Sequence, residues 1–278
     1  MPTANAPDLT SDVKAWTREL RVDIIRMLEA AGSGHPGGSL SIIDILAVLY
    51  SKVLRHKPEQ PDWEGRDRLV LSKGHACPAL YAVMAHTGYF DRKELMNLRK
   101  LGSPLQGHPD RLRLPGIEAS TGSLGQGLSI AQGMAMAAKQ DGKDTQAWCI
   151  LGDGEMQEGQ LWESFMSAPK FKLGNLCAIV DYNNSQIDGT VSEVMEIGPL
   201  ADKLRAFQWD VVEIDGHDFA QIEKALGQAM AAKDVPVAII AKTVKGKGVS
   251  FMEHKTEWHG AVPNKEQADQ AVEEIKNG

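Results

Sequence analysis

Asp153 and Asn183 are the residues whose types and placement point most directly to chemistry. Asp153 stands in Leu151-Gly152-Asp153-Gly154-Glu155, and Asn183 in the run from Asp181 through Tyr182, Asn184, Ser185, Gln186, Ile187 and Asp188 to Gly189. Each cluster directly follows an apolar, strand-like run, Ala147 to Leu151 and Leu176 to Val180. Between them a helical pattern puts Leu161, Trp162, Phe165 and Met166 on one side. The spacing predicts a β-α-β unit, with both clusters at the carboxyl ends of parallel strands, where open α/β sheets bind ligands. A carboxylate and an amide oxygen beside a glycine turn suit Mg²⁺, a hard cation that shares its shell with a ligand's phosphates. Gly152 and Gly154 carry no Cβ, so the backbone there can turn sharply and approach a diphosphate. Either cluster alone is also ordinary turn chemistry.

Histidines form the second group. His35 (Ser33-Gly34-His35-Pro36-Gly37-Gly38), His75 (Ser72-Lys73-Gly74-His75), His108 (Gly107-His108-Pro109) and His259 (Trp258-His259-Gly260) all lie within one residue of Gly or Pro. Imidazoles on such stripped-down loops can reach a ligand and move protons near neutral pH; a turn histidine at a helix C-terminus would look similar. His56, His86, His217 and His254 lack that context or match turn chemistry and read as structural. No spacing of His or Cys supports a zinc site. Lys245-Gly246-Lys247-Gly248 has the chemistry for a diphosphate, or is a plain basic loop. Thr121-Gly122-Ser123-Leu124-Gly125-Gln126-Gly127 reverses the dinucleotide-loop order and follows no strand, and a Walker A loop is absent.

Positioning these residues requires a doubly wound, mainly parallel α/β sheet with helices on both faces. The pattern predicts helices over 9–31, 41–53, 130–139 and 200–207, a helix entered at Pro78, a short capped helix from Asp91 to Leu98, and another from the Asp215–Asp218 turn to Ala232. Thr10 or Ser11 is the candidate cap of the first helix. Strands are expected over 68–72, 147–151, 176–180, 209–214 and 235–241, with a charged amphipathic helix closing the chain. Residues 1–10 read as a flexible arm, and 11–278 as one domain. At 278 residues and 42% hydrophobic, the chain can bury a sizeable core. Its net charge of −7 argues against a nucleic-acid surface but leaves phosphate ligands open. Cys77, Cys149 and Cys177 form no paired motif, which fits a reducing cytoplasm, with Cys149 and Cys177 inside strand runs. No apolar run approaches a membrane span, and the N-terminus has no leader pattern.

In this order, the Ser33–Gly38, Ser72–His75, Gly107–Pro109, Thr121–Gly127, Gly152–Gly159, Ile187–Gly189 and Trp258–Gly260 motifs resemble transketolase over nearly the whole chain. The resemblance implies the diphosphate-binding domain of a thiamine diphosphate enzyme. Asp153, Asn183 and the Ser185 carbonyl would hold Mg²⁺ or Ca²⁺; Gly154 and Lys245 would meet the diphosphate, with His75 and His259 nearby. Gly122 and Leu124 would line the pyrimidine side and Ile187 would pack on the cofactor's rings. His35, His75, His108, His259 and Glu158 are the catalytic candidates. The chemistry implied is transfer of a two-carbon ketol unit from a ketose phosphate to an aldose phosphate, in the pentose phosphate pathway. In the family the glutamate that activates the aminopyrimidine lies in a second, pyrimidine-binding domain. This chain ends at Gly278 before any such domain, so it reads as the N-terminal section of a split transketolase, in a heterotetramer with a C-terminal subunit. The face of the helix at Met134, Ala135, Met136 and Ala138 is the expected contact. A non-catalytic cofactor-binding subunit, or a subunit of a deoxyxylulose-phosphate or dihydroxyacetone synthase, are the alternatives.

Overall fold

The structure, a computed structural model, describes residues 12–278. The expected arm at 1–10, the helix start at Leu9 and the candidate caps Thr10 and Ser11 lie outside the described residues. The first helix, α1 (Val13–Ala31), is capped instead by Asp12, whose carboxylate accepts the Ala15 N–H at 2.8 Å. It ends at Gly32, where a left-handed turn (φ 65°) lets the glycine N–H close onto the last carbonyls.

Five parallel strands form one sheet in the order β1-β2-β3-β5-β4: β1 (Arg68–Leu71), β2 (Ala147–Gly152), β3 (Leu176–Tyr182), β4 (Asp210–Asp215) and β5 (Val237–Lys242). The expected strands are all present, with ends shifted by a residue or two. Side chains alternate between two cores. Trp148, Ile150, Cys177 and Ile179 face one, while Cys149, Leu151, Ala178 and Val180 face the other.

The winding follows from handedness. From β1 to β3 the chain advances one way across the sheet, and α4 (Gln126–Gln140) and α5 (Gly159–Lys170) cover one face. The step from β4 back to β5 runs the opposite way, so α8 (Phe219–Ala231) covers the other, with α1, α2 (Pro36–Val48), α3 (Cys77–Thr87) and α9 (Lys265–Asn277). The remaining helices are α6 (Val191–Val194) and α7 (Leu200–Ala206).

Several local expectations are corrected. The second helix begins at Pro36 rather than Ser41, because Pro preorganises its first turn and Gly37 continues it where a larger residue would strike Lys245 and the Trp258 carbonyl. With its π-turn at Leu49–Val53, the segment Pro36–Val53 is long and apolar enough to cross a membrane (hydropathy 1.2), contrary to expectation; 83% of it is buried within the protein, as a core helix. Helix α4 starts at Gln126, not Ile130; Ala135 lies in the core beneath it, Met134 and Met136 pack partly against that core, and Ala138 is buried, so the expected partner-facing set turns largely inward. On α5, Met166 is 62% exposed and Ser164 and Ala168 take the inner face with Leu161 and Phe165. The Asp91-capped segment is a 3₁₀ helix, Arg92–Asn97.

The cysteines are free and buried. His86 accepts the Trp16 indole N–H at 2.9 Å and meets Asp23 at 2.7 Å; His56 contacts the Tyr50 carbonyl and the Tyr89 hydroxyl. Both are structural. His217 belongs to a buried network: its Nδ1 meets Asp44 at 2.8 Å, and its Nε2 accepts the Val244 N–H at 2.9 Å. Asp44 also takes two Arg21 bonds, at 2.8 and 2.7 Å. This clasp joins α1, α2 and the loop after β5.

Burial alone would raise the Asp44 carboxyl, but Arg21 and His217 hold it below the ordinary 3.8. Its contribution to stability is therefore complete above that ordinary value and is lost as pH falls through the lower folded-state value. Asp44→Ala leaves Arg21 buried without its counter-charge. The expected loss in urea unfolding at pH 7 is about 3–5 kcal/mol. A loss under about 1 kcal/mol would show that the clasp does not hold these elements.

Candidate functional site

The carboxyl ends of β1, β2, β3 and β5 open into one cleft of about 360 Å³. Every sequence-derived site residue lines it: His35, His75, His108, Gly122, Leu124, Asp153, Gly154, Glu158, Asn183, Ser185, Ile187, Lys245 and His259. Glu158 is an exposed residue at the N-terminus of α5, with Gly125 directly against its Cβ side.

On one side lie oxygen groups. Asp153 is buried at the end of β2. Its Oδ2 accepts the backbone N–H of Asn183 at 2.9 Å and that of Asn184, and its Oδ1 accepts the Gly154 N–H at 2.8 Å. Asn184 makes this possible through a left-handed backbone (φ 56°), which Asn tolerates. Its own side chain turns away to Ser192, so it is not aimed at the cleft. The Asn183 Nδ2 donates to Asp181 at 3.2 Å. The Asn183 Oδ1 and Ser185 Oγ are buried without hydrogen-bond partners. Burial and the nearby Asp181 push the Asp153 carboxyl up to about 6. A carboxylate with spare lone pairs, an orphaned amide oxygen and a raised proton affinity together fit a divalent cation.

On the other side lie nitrogen groups. His35 is central, its ring 5.2 Å from His75, 5.6 Å from His259 and 6.3 Å from His108. His75 and His259 stack at 5.0 Å. Burial, then the charges of Arg99, His108 and Lys245, lower His35 to about 4; burial and Lys245 lower His259 to about 3. His75 is held well below its ordinary value by burial and Lys73, and His108 is lowered by burial and Arg99. All four are neutral at pH 7, able to donate and accept. Lys245 bridges the two sides: its Nζ donates to the Ser185 carbonyl at 3.1 Å and reaches His259 Nδ1 at 2.7 Å. Burial and Lys73 lower it to about 8, where a bound anion would favour its charged form.

Three residues gained no role from sequence, although each lies in a quoted run. Lys73 and Asp181 form a buried ion pair beneath the cleft, and Lys73 also donates to the Gly38 carbonyl at 3.0 Å. Glu155 is buried and accepts the Ser72 hydroxyl, the Gly125 N–H at 2.8 Å and the Gly152 N–H at 3.0 Å. It ties the Thr121–Gly127 loop to both strand ends. The available signal was a charged residue abutting an apolar strand, which burial permits only with partners.

The fold and cleft define an α/β protein whose strand ends carry oxygen groups suited to a cation and nitrogen groups suited to an anion, with imidazoles beside them. The family model "Transketolase, thiamine diphosphate binding domain" matches residues 11–276. A 6-deoxy-6-sulfo-D-fructose transketolase subunit of Clostridium sp. (strain MSTE9) is 47% identical over 265 residues, which cover 95% of this chain and 96% of that one. An apulose-4-phosphate transketolase subunit of Phocaeicola vulgatus is 42% identical over 255 residues, 92% of this chain and 90% of that one. The transketolase structure from Campylobacter jejuni subsp. jejuni superposes with a TM-score of 0.89 at 38% identity, over 95% of this chain and 42% of its own. The chain belongs to the transketolase family, as its thiamine diphosphate-binding domain, and is similar in extent to these transketolase subunits.

Gly37 tests the geometry. A Cβ there would stand 2.8 Å from Lys245 Cγ and 2.9 Å from the Trp258 carbonyl oxygen. Gly37→Ala improves helix propensity yet displaces Lys245. Titration calorimetry with thiamine diphosphate is expected to show at least about tenfold weaker binding, roughly 1.4 kcal/mol. Unchanged affinity would mean that Lys245 does not meet the ligand from this position.

Proposed function

We propose that this chain is the diphosphate- and metal-binding subunit of a split transketolase that moves a two-carbon ketol unit from a ketose phosphate to an aldose phosphate. The observation that carries this is the division of one cleft into a cation-seeking side, Asp153 with the orphaned Asn183 oxygen, and a side of clustered histidines. Asp153, the Asn183 Oδ1 and the Ser185 carbonyl would hold Mg²⁺ or Ca²⁺. Lys245 would then leave the Ser185 carbonyl to meet the diphosphate beside the Gly154 N–H, His75 and His259. Gly122, Leu124 and Ile187 would line the ring side.

Thiamine diphosphate, when bound, supplies the carbon nucleophile and electron sink for cleaving the bond next to a ketose carbonyl. The protein's part is orientation and proton movement. His35, His108 and His259 are placed to donate hydrogen bonds to substrate oxygens as charge gathers there, and their low proton affinities keep them neutral for relay. Glu158 stands at the rim, open to a second chain. Ile187 is 72% exposed, so one wall of the cleft is left for a partner to cover and dry.

The partner we propose is a C-terminal transketolase subunit with pyrimidine-binding and C-terminal domains, two copies of each chain forming a heterotetramer. The outward face of α4, with Ile130 at 36% exposure and open space over Gly133, offers a contact. The chain then comprises one diphosphate-binding domain over 11–278. Three free, buried cysteines suit a cytoplasmic setting, and a place in pentose phosphate metabolism suits the substrates.

Two outcomes are expected. Purified chain with thiamine diphosphate, Mg²⁺, a ketose phosphate donor and an aldose phosphate acceptor is silent alone and active once the co-purifying C-terminal subunit is added. Turnover by chain shown free of partner by mass spectrometry would overturn the split-enzyme assignment. In the assembled enzyme, His108→Ala and His259→Ala each lower transfer by about 10² to 10⁴ with unfolding midpoints unchanged. Near-full turnover in both would make them structural loop residues.

A further inference from the structure

We propose that Asp181 is a positioning residue that fixes which end of the Asn183 amide faces the cleft, so that the carbonyl oxygen, not the NH₂, is presented to a divalent cation. This role rests on the cation-binding function proposed above.

The two ends of an amide are alike in size and opposite in polarity, so shape alone cannot orient it. Asp181 lies two residues before Asn183 on the same strand edge and is completely buried. An ionised carboxylate only accepts hydrogen bonds, so the end of Asn183 that lies 3.2 Å from Asp181 Oδ2 must be the NH₂. The oxygen then points the other way, where it is buried with no protein donor. The reverse orientation would set a carbonyl oxygen against a carboxylate.

Asp181 is itself held on every side. Ser41 donates to its Oδ2 at 2.6 Å, Lys73 to the same oxygen, and Thr243 to its Oδ1. These bonds come from α2, the end of β1 and the end of β5, so the carboxylate cannot rotate away. Lys73 cancels its charge, which leaves Asp153 as the net negative group at the cation position. The arrangement separates two jobs: Asp181 orients and Asp153 attracts.

The test uses the full chain with its co-purifying subunit and follows Mg²⁺- and Ca²⁺-dependent thiamine diphosphate binding by titration calorimetry. Asp181→Asn is expected to weaken binding about 10–100-fold, the usual range for a residue that orients a metal ligand. An Asp181→Asn variant that binds like wild type overturns the role. Absence of cation-dependent binding by the wild type overturns the proposed function instead. A measurement on the unaltered chain stands apart from both. With ¹⁵N-asparagine labelling and no cation or cofactor, the Asn183 NH₂ signal, assigned by its loss in Asn183→Asp, should show one proton shifted downfield and slowed in exchange. A freely exchanging, unshifted NH₂ would mean that Asp181 does not hold it, whatever the variants do.

Discussion

The buried pair of Lys73 and Asp181 is the interaction on which the cleft depends. Two opposite charges withdrawn from water are tolerated only when further hydrogen bonds meet their remaining valences. Here Ser41, Thr243, Asn183 and the Gly38 carbonyl do so. The result joins the ends of β1, β3 and β5 to the first turns of α2. Burial tends to protonate Asp181, and Lys73 overcomes this, holding the carboxyl below its ordinary value. Glu155 repeats the arrangement without a paired cation: burial raises it, while a hydroxyl and two backbone N–H groups anchor it between β1, β2 and the loop before α4.

These two buried acids let the cleft sort charge. Asp153 faces a space with an orphaned oxygen and a raised proton affinity, whereas across the cleft the imidazoles are driven neutral by burial and then by Lys245, Lys73 and Arg99. A cation is favoured on one side and an anion beside it. That is the electrostatic requirement of a metal–diphosphate pair, met by side chains already in place.

Much of this was legible in sequence because the functional groups punctuate apolar strands. Asp153 and Asn183 each close such a run, and the parallel pairing of β2 with β3 brings them together as the β-α-β spacing required. The histidines were legible through flanking Gly and Pro. Less legible was whatever depends on contacts between distant segments. Gly37 and Gly38 look like loop residues, yet they lie in a helix, and at Gly37 the nearby Lys245 and Trp258 leave no room for a side chain. Asp181 and Glu155 read as members of turn motifs, since sequence does not say whether an acid is solvated or enclosed. The inner face of α4 was ambiguous for the same reason: Ala and Met suit a core contact as well as a subunit contact, and Ala135, Met134 and Met136 meet the core.

The central claim is that a divalent cation sits between the Asp153 carboxylate and the Asn183 amide oxygen. Anomalous scattering from crystals grown with thiamine diphosphate and Mn²⁺ tests it most directly. The expected result is a single strong peak about 2.0–2.3 Å from an Asp153 carboxylate oxygen and the Asn183 Oδ1, a distance suited to hard oxygen ligands. A peak among His35, His75 and His259, with none beside Asp153, would contradict the account.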